Sequence, residues 1–244
     1  MKKILILLII AMTSCTSSNK KIIFLGDSIT EAGVYDTEVG IPYDGELIYP
    51  NYNGFITLLS RNVEENIELI GKGISGDKVS DLLTRYREDV IKLNPDKVFI
   101  YIGINDVWHK YDFGTGSDID LYEDGLRQII YELQKIGSKV VLCTPTVIGE
   151  NYGDFTLANQ YVEQYRDAKT MESMNKDLDA FSDVVRNLSS EYNTDLIDLR
   201  KIFMSYISKN NPSNKPSGIL TYDGVHLNDQ GNKLIADQMI NFIN

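Results

Sequence analysis

Five short apolar segments recur along this chain, each of strand length and each separated from the next by a longer stretch of helical period. They are "KIIFLG" (21–26), "IELIGKG" (67–73), "DKVFIYIG" (96–103), "SKVVLCTP" (138–145) and "TDLIDL" (194–199). Near-continuous apolar strands divided by helices cannot pair as hairpins, so they predict a parallel sheet covered by helices on both faces. The clearest helix follows Gly76-Asp77, where Val79, Leu82, Leu83, Tyr86, Val90 and Leu93 make one apolar stripe that stops before Asn94-Pro95. Others are expected over 119–136, ended by Gly137, over about 171–192, and over 228–242, with Leu234, Ile235, Met239 and Phe242 facing inward. Two stretches, 35–54 and 109–120, fit no regular element. Both follow strand ends, where an open α/β sheet binds its ligands, so both are expected to form the rim of a pocket.

The 244 residues are 43% hydrophobic and 24% charged, enough for one substantial core, and one domain is the default expectation. The first fifteen, "MKKILILLIIAMTSC", read differently. Two lysines precede an apolar run from Ile4 to Met12, and small residues follow before Cys15, the pattern of a secretory signal too short to anchor as a membrane span. The ending Met-Thr-Ser-Cys is similar to a bacterial lipobox. The expected organisation is therefore a signal peptide over 1–14, a lipidated Cys15 with a tether over 15–20, and a catalytic domain over 21–244. That makes the chain an exported bacterial lipoprotein, held to a membrane on its periplasmic or cell-surface side. Losing Lys2 and Lys3 leaves the remainder two charges more negative than the −11 of the whole chain, which excludes nucleic acid as a partner, for want of positive charge to displace phosphate counterions. With Cys15 lipidated, Cys143 is left alone and reads as a small buried strand residue.

Chemistry-bearing residues gather at or near the predicted strand ends: "GDS" at 26–28, "GISGD" at 73–77, "GIND" at 103–106 and "DGVH" at 223–226. Each has a plain reading by itself. Gly-Asp-Ser is a turn tripeptide, Gly76 a close-packing glycine before a helix, and Asn105 a cap; Asp223-x-x-His226 is a turn, a pair of metal ligands or a catalytic pair. Together and in order on one sheet they supply a nucleophile, an imidazole with its carboxylate, backbone donors and an amide donor. Those are the parts for acyl transfer. No His/Asp/Glu cluster suggests a catalytic metal and no lysine-bearing phosphate loop is present, so no cofactor is expected.

In these four blocks, "GDSITEAG", "GKGISGDKVSDLL", "IGINDVW" and "DGVHLNDQG", the chain resembles the SGNH/GDSL hydrolase superfamily from Ile22 to its last helix. The resemblance implies a flavodoxin-like three-layer α/β/α sandwich around a parallel five-stranded sheet. It implies Ser28 as nucleophile and His226 as base, oriented by Asp223. The backbone N–H groups of Ser28 and Gly76 and the side chain of Asn105 would form the oxyanion hole. Two departures stand out: Gly71 where many relatives carry asparagine, and the glycine after Ser28 arriving late, at Gly33. The chain lacks the Gly-x-Ser-x-Gly elbow of α/β-hydrolases.

The expected activity is hydrolysis of a carboxylic ester through an acyl-serine, most of all deacetylation of an O-acetylated carbohydrate or a small ester. A lysophospholipid or other lipid ester or a thioester is the enzymatic alternative, and a non-catalytic glycan-binding lipoprotein the alternative of another class. Asp27, Trp108 and His109 are the remaining candidates for lining the substrate site; Trp108 reads equally as a sugar-stacking wall and as core packing. The rim is rich in Tyr35, Asp36, Glu38, Tyr43, Asp44, Glu46, Tyr49, Tyr111, Asp112 and Asp118, which suit hydroxyl groups better than a lipid tail and read equally as solvated loop residues.

Overall fold

Ile22, Ile23, Phe24 and Leu25 are all buried, although successive side chains point to opposite faces of a strand. A strand covered on both faces belongs in the interior of a parallel sheet. In the computed structural model, which describes residues 19–36, 41–43, 46–48, 53–151 and 168–243, this strand, β1 (Lys20–Gly26), is central. It pairs with β4 (Ile67–Gly73) on one side and β5 (Lys97–Tyr101) on the other, and β6 (Lys139–Cys143) and β7 (Asp195–Ile197) continue outward from β5. Every one of these pairings is parallel. By rank within the sheet the order is that of the flavodoxin-like fold, whose switch point lies between its first and third strands, here β1 and β5.

The helices are α1 (Ser28–Ala32), α2 (Phe55–Ser60), α3 (Val79–Asp89), α4 (Ile104–Asp112), α5 (Ile119–Lys135), α6 (Ala168–Tyr192), α7 (Leu199–Asn210) and α8 (Asp229–Met239). Helix α2 packs on α8, while α3, α5 and α6 pack in series. The stripe expected after Gly76-Asp77 is the buried face of α3, with Val79, Leu82 and Tyr86 inaccessible. A 3-10 turn (Ile91–Leu93) follows, and Asn94 then turns left-handed at φ 49° before Pro95. The last expected helix also ends in a 3-10 turn (Ile240–Phe242). At the centre of the sheet Phe24 and Phe99, partners in the β1–β5 register, stack at 4.8 Å, and Phe55 meets Phe24 edge-on at 5.9 Å. Cys143 is buried at the end of β6, where burial pushes its thiol pKa up.

Three expectations need correction. Part of 35–54 is regular, because Ile41–Tyr43 (β2) and Glu46–Ile48 (β3) pair as an antiparallel hairpin. His109 to Asp112 are the last turn of α4 rather than loop. Regular structure begins one residue inside the span expected as tether, since Lys20 already pairs with Ile67. The signal segment, Cys15, Glu38, Asp44, Tyr49 and the side chains of Tyr43 and Glu46 lie outside the described residues.

Close approach of α1 to the sheet is set by glycine. A Cβ on Gly73, at the end of β4, would lie 2.1 Å from the Glu31 backbone nitrogen and 2.5 Å from the Asp27 carbonyl oxygen, and neither can yield without moving α1. Gly73→Ala is therefore expected to cost about 1–3 kcal/mol, the usual range for overpacking a close-packed site. Thermal unfolding measures this as a fall in Tm of about 2–4 °C per kcal/mol for a chain of this size; an unchanged Tm would mean that α1 can lift from β4 without loss.

Candidate active site

β1 ends at Gly26, where a side chain would strike the Tyr101 carbonyl at 2.4 Å and Thr30 Oγ1 at 2.2 Å. The chain turns there directly into α1. Asp27 caps that helix, its carboxylate accepting from the Ile29 N–H at 3.0 Å, and Ser28 becomes the first helical residue, half-buried at the carboxyl end of the sheet. Asp27 itself is only 2% exposed, so it is a buried cap beside Ser28 and not an open wall of the site. Burial pushes its pKa up to about 7, against the opposing hydrogen bond from Ile29 and the attraction of His226.

Ser28 Oγ lies 3.0 Å from His226 Nε2, and His226 Nδ1 lies 2.7 Å from Asp223 Oδ2. With Nδ1–H donating to the carboxylate, Nε2 is left to accept from the serine. Asp223 Oδ1 accepts from the backbone N–H groups of Val225, at 2.9 Å, and His226, at 2.7 Å, so both carboxylate oxygens are committed. Burial opposes charge on both partners, but the hydrogen bond and attraction between them prevail. His226 is raised above its ordinary 6.5, with Asp27 adding to the effect, and Asp223 is lowered.

Gly76 follows β4 with φ +83°, a left-handed conformation that favours glycine. Asn105 sits in the first turn of α4, after β5, and is 5% exposed; one of its amide hydrogens goes to the Asp77 carbonyl at 3.1 Å, and the amide has a second N–H to offer. The structure thus brings Ser28, Asp223 and His226 into one relay and ties the Gly76 and Asn105 segments to each other. Of the other candidates, Trp108 presents its ring 6.5 Å from that of His226, tilted at 53°, while also packing on the core. The His109 ring meets Phe113 edge-on at 5.1 Å and lies beside Gly76, where a Cβ would come within 3.9 Å of its Cε1.

Three neighbours of the site were not evident in the sequence. Tyr222 stacks on His226 with centroids 5.7 Å apart and planes at 15°; its place beside Asp223 in "TYDGVH" was the signal. Asp106, fully buried, accepts the Val79 N–H at 3.0 Å and so joins the starts of α3 and α4. Arg85 donates to the carbonyls of Gly26 (2.9 Å) and Lys72 (3.1 Å) and to Asp77 (2.7 Å), bracing β1 against the Gly76 segment.

A serine, an imidazole and a carboxylate meeting at the switch point of a parallel sheet define a hydrolase of carboxylic esters. The model of the GDSL-like lipase/acylhydrolase family matches residues 24–234, and the chain belongs to that family. An acetylxylan esterase of Geobacillus stearothermophilus is 32% identical over 225 residues, which are 90% of this chain and 91% of that protein. The crystal structure of the acetyl xylan esterase AlAXEase superposes with a TM-score of 0.75 at 41% identity, covering 92% of this chain and all of that one. That of LAE5, an alpha/beta hydrolase from the metagenome of Lake Arreo in Spain, superposes with a TM-score of 0.68 at 27% identity, covering 93% and 97%.

The raised pKa of His226 fixes the sign of the pH dependence. Only neutral imidazole can take the Ser28 proton, and imidazolium accumulates below the pKa, so kcat/KM for an activated ester is expected to fall as pH drops, with its midpoint above 6.5. Stopped-flow or steady-state rates from pH 5 to 9 measure it; a midpoint below 6.5 would show that burial outweighs Asp223.

Proposed function

We propose that the chain hydrolyses O-acetyl esters of carbohydrate with Ser28 as nucleophile, His226 as general base and then acid, and Asp223 as the carboxylate that orients it. The observation that carries this reading is the relay from Ser28 Oγ to His226 Nε2 (3.0 Å) and from His226 Nδ1 to Asp223 Oδ2 (2.7 Å). Ser28 Oγ attacks the carbonyl carbon as its proton passes to Nε2. Negative charge then develops on the carbonyl oxygen, where the Ser28 and Gly76 backbone N–H groups and Asn105 Nδ2 receive it. Collapse of the tetrahedral intermediate breaks the ester bond, and Nε2 returns its proton to the leaving sugar oxygen. Water repeats the sequence on the acyl-serine, and acetic acid leaves with Ser28 restored. The carbohydrate assignment is supported by relatives named acetylxylan esterases at 32% and 41% identity.

Ser28→Ala is expected to abolish turnover and Asn105→Ala to lower kcat by roughly 10²- to 10³-fold, about 2.7–4 kcal/mol, as for one oxyanion donor. On p-nitrophenyl esters kcat/KM should be highest for acetate and fall beyond about four carbons, because further methylenes find no pocket. Release of acetate from acetylated xylan completes the test. A preference rising steadily to octanoate supports a lipid ester instead.

The proposed setting is outside the cytoplasm, the chain being exported and held by lipid on Cys15. Lys20 and Gly26, two residues before Ser28, lie at opposite ends of β1, about 20 Å apart at the rise of a strand, so an anchor before Lys20 leaves Ser28 at the far end of that strand, toward a polymeric substrate. Among the described residues no helix is long and apolar enough to cross a membrane. Cys15→Ser is expected to move the protein from the membrane to the soluble fraction; a processed variant that stays membrane-bound would exclude the anchor.

A further inference from the structure

The segment carrying Asp223 and His226 has little regular structure of its own. From 211 to 228 its one ladder contact is the bridge between Thr221 and Leu227. Something outside the segment must hold it at the height where Nε2 meets Ser28. Glu150, in the loop after β6, is 0% exposed and gives its carboxylate wholly to this segment. Oε2 accepts the Ile219 N–H at 2.7 Å. Oε1 accepts the N–H groups of Leu220 and Thr221, both at 2.6 Å, and the Thr221 hydroxyl at 2.9 Å. Thr221 Oγ1 in turn accepts the Gly224 N–H at 3.0 Å, inside the turn between the two reacting residues. The backbone beside Glu150 closes the clasp: the Gly149 N–H donates to the Gly224 carbonyl and the Glu150 N–H to the Pro216 carbonyl, both at 2.8 Å.

A buried carboxylate is costly unless hydrogen-bonded, and this one takes its donors from residues 219–221, immediately before the turn that carries Asp223 and His226. An apolar side chain of similar volume would leave the N–H groups of Ile219, Leu220 and Thr221 without this acceptor. We infer that Glu150 is a positioning residue for the acid–base pair, setting the Asp223–His226 turn against Ser28 through Thr221. The inference rests on the proposed roles of Ser28 and His226.

Glu150→Gln keeps the volume and tests it. If the amide oxygen keeps the three donors of Oε1, its NH₂ faces the Ile219 N–H, donor against donor. The expected result on p-nitrophenyl acetate is a kcat lower by roughly 10- to 100-fold, the scale of a small misplacement at a reacting centre, with KM held within about twofold. The proton on His226 Nδ1, far downfield in the NMR spectrum while it bridges to Asp223, should shift or broaden. Thr221→Val should lower kcat in the same direction, and Thr221→Ser should recover most of that loss. A folded Glu150→Gln enzyme with wild-type kcat overturns the inference, as does a lower kcat with the His226 resonance unmoved. Should Glu150→Gln fail to fold, wild-type kcat in Thr221→Val overturns it. Turnover surviving in Ser28→Ala would instead sink the catalytic reading, an outcome independent of Glu150.

Discussion

Everything at the site depends on how tightly the chain turns at the end of β1. Gly26 is boxed in by the Tyr101 carbonyl and Thr30, Gly73 by the backbone of α1, and Gly54 by the Gly33 carbonyl at 2.3 Å. With no side chains in those places, α1 lies directly against the ends of β1 and β4, and its first residue, Ser28, emerges at the switch point with no intervening loop. Parallel pairing on both sides of β1 puts β4 and β5 in register with it, so the segments that carry Gly76 and Asn105 leave the sheet at the same end as Ser28.

The two halves of the site are held by different means. Ser28, Gly76 and Asn105 follow strands of the sheet, and polar braces join them: Arg85 ties the Gly26 and Lys72 carbonyls to Asp77, and Asp106 ties the start of α3 to that of α4. These groups inherit the rigidity of the core. Asp223 and His226 lie on an irregular segment with no strand behind it, so their placement relies on hydrogen bonds reaching across from the loop after β6. A serine on a helix packed against the sheet and a histidine on a loop make the separation between Ser28 and His226 the dimension most exposed to change in the surrounding sequence.

The sheet, its order-setting strands and the members of the relay were legible because each leaves a local trace: an apolar run bounded by glycine, or a short motif at its end. The β2–β3 hairpin was not, since Ile41–Tyr43 and Glu46–Ile48 are short and sit among turn-forming residues that mask their alternation. His109 was read as loop although it completes a turn of α4, because glycines at 114 and 116 gave the whole stretch a loop's composition. Glu150 left no trace at all. Its partners are about seventy residues away, and a lone glutamate after a strand carries no pattern until the fold brings those N–H groups to it.

Electrostatics at the site pull in two directions, and geometry decides between them. Burial raises Asp27, Asp77 and Asp106, Asp27 to about 7 and Asp106 to about 6, and at Asp27 the charges of Asp106 and Asp77 add to it. Negative charge there favours an imidazolium at His226, which helps the step in which the ring holds the serine proton. The same charge opposes an oxyanion nearby. Raised pKa values moderate the conflict, since a partly protonated Asp27 carries less than a full charge, and the Arg85 guanidinium offsets Asp77 at 2.7 Å. What remains is met at contact distance, where an N–H aimed at the developing oxygen outweighs a carboxylate farther off. A fold that buries acids next to the proposed nucleophile therefore requires oxyanion donors fixed in advance, and the two proposed donors are held in that way, Gly76 in a left-handed conformation and the Asn105 amide by its hydrogen bond to the Asp77 carbonyl.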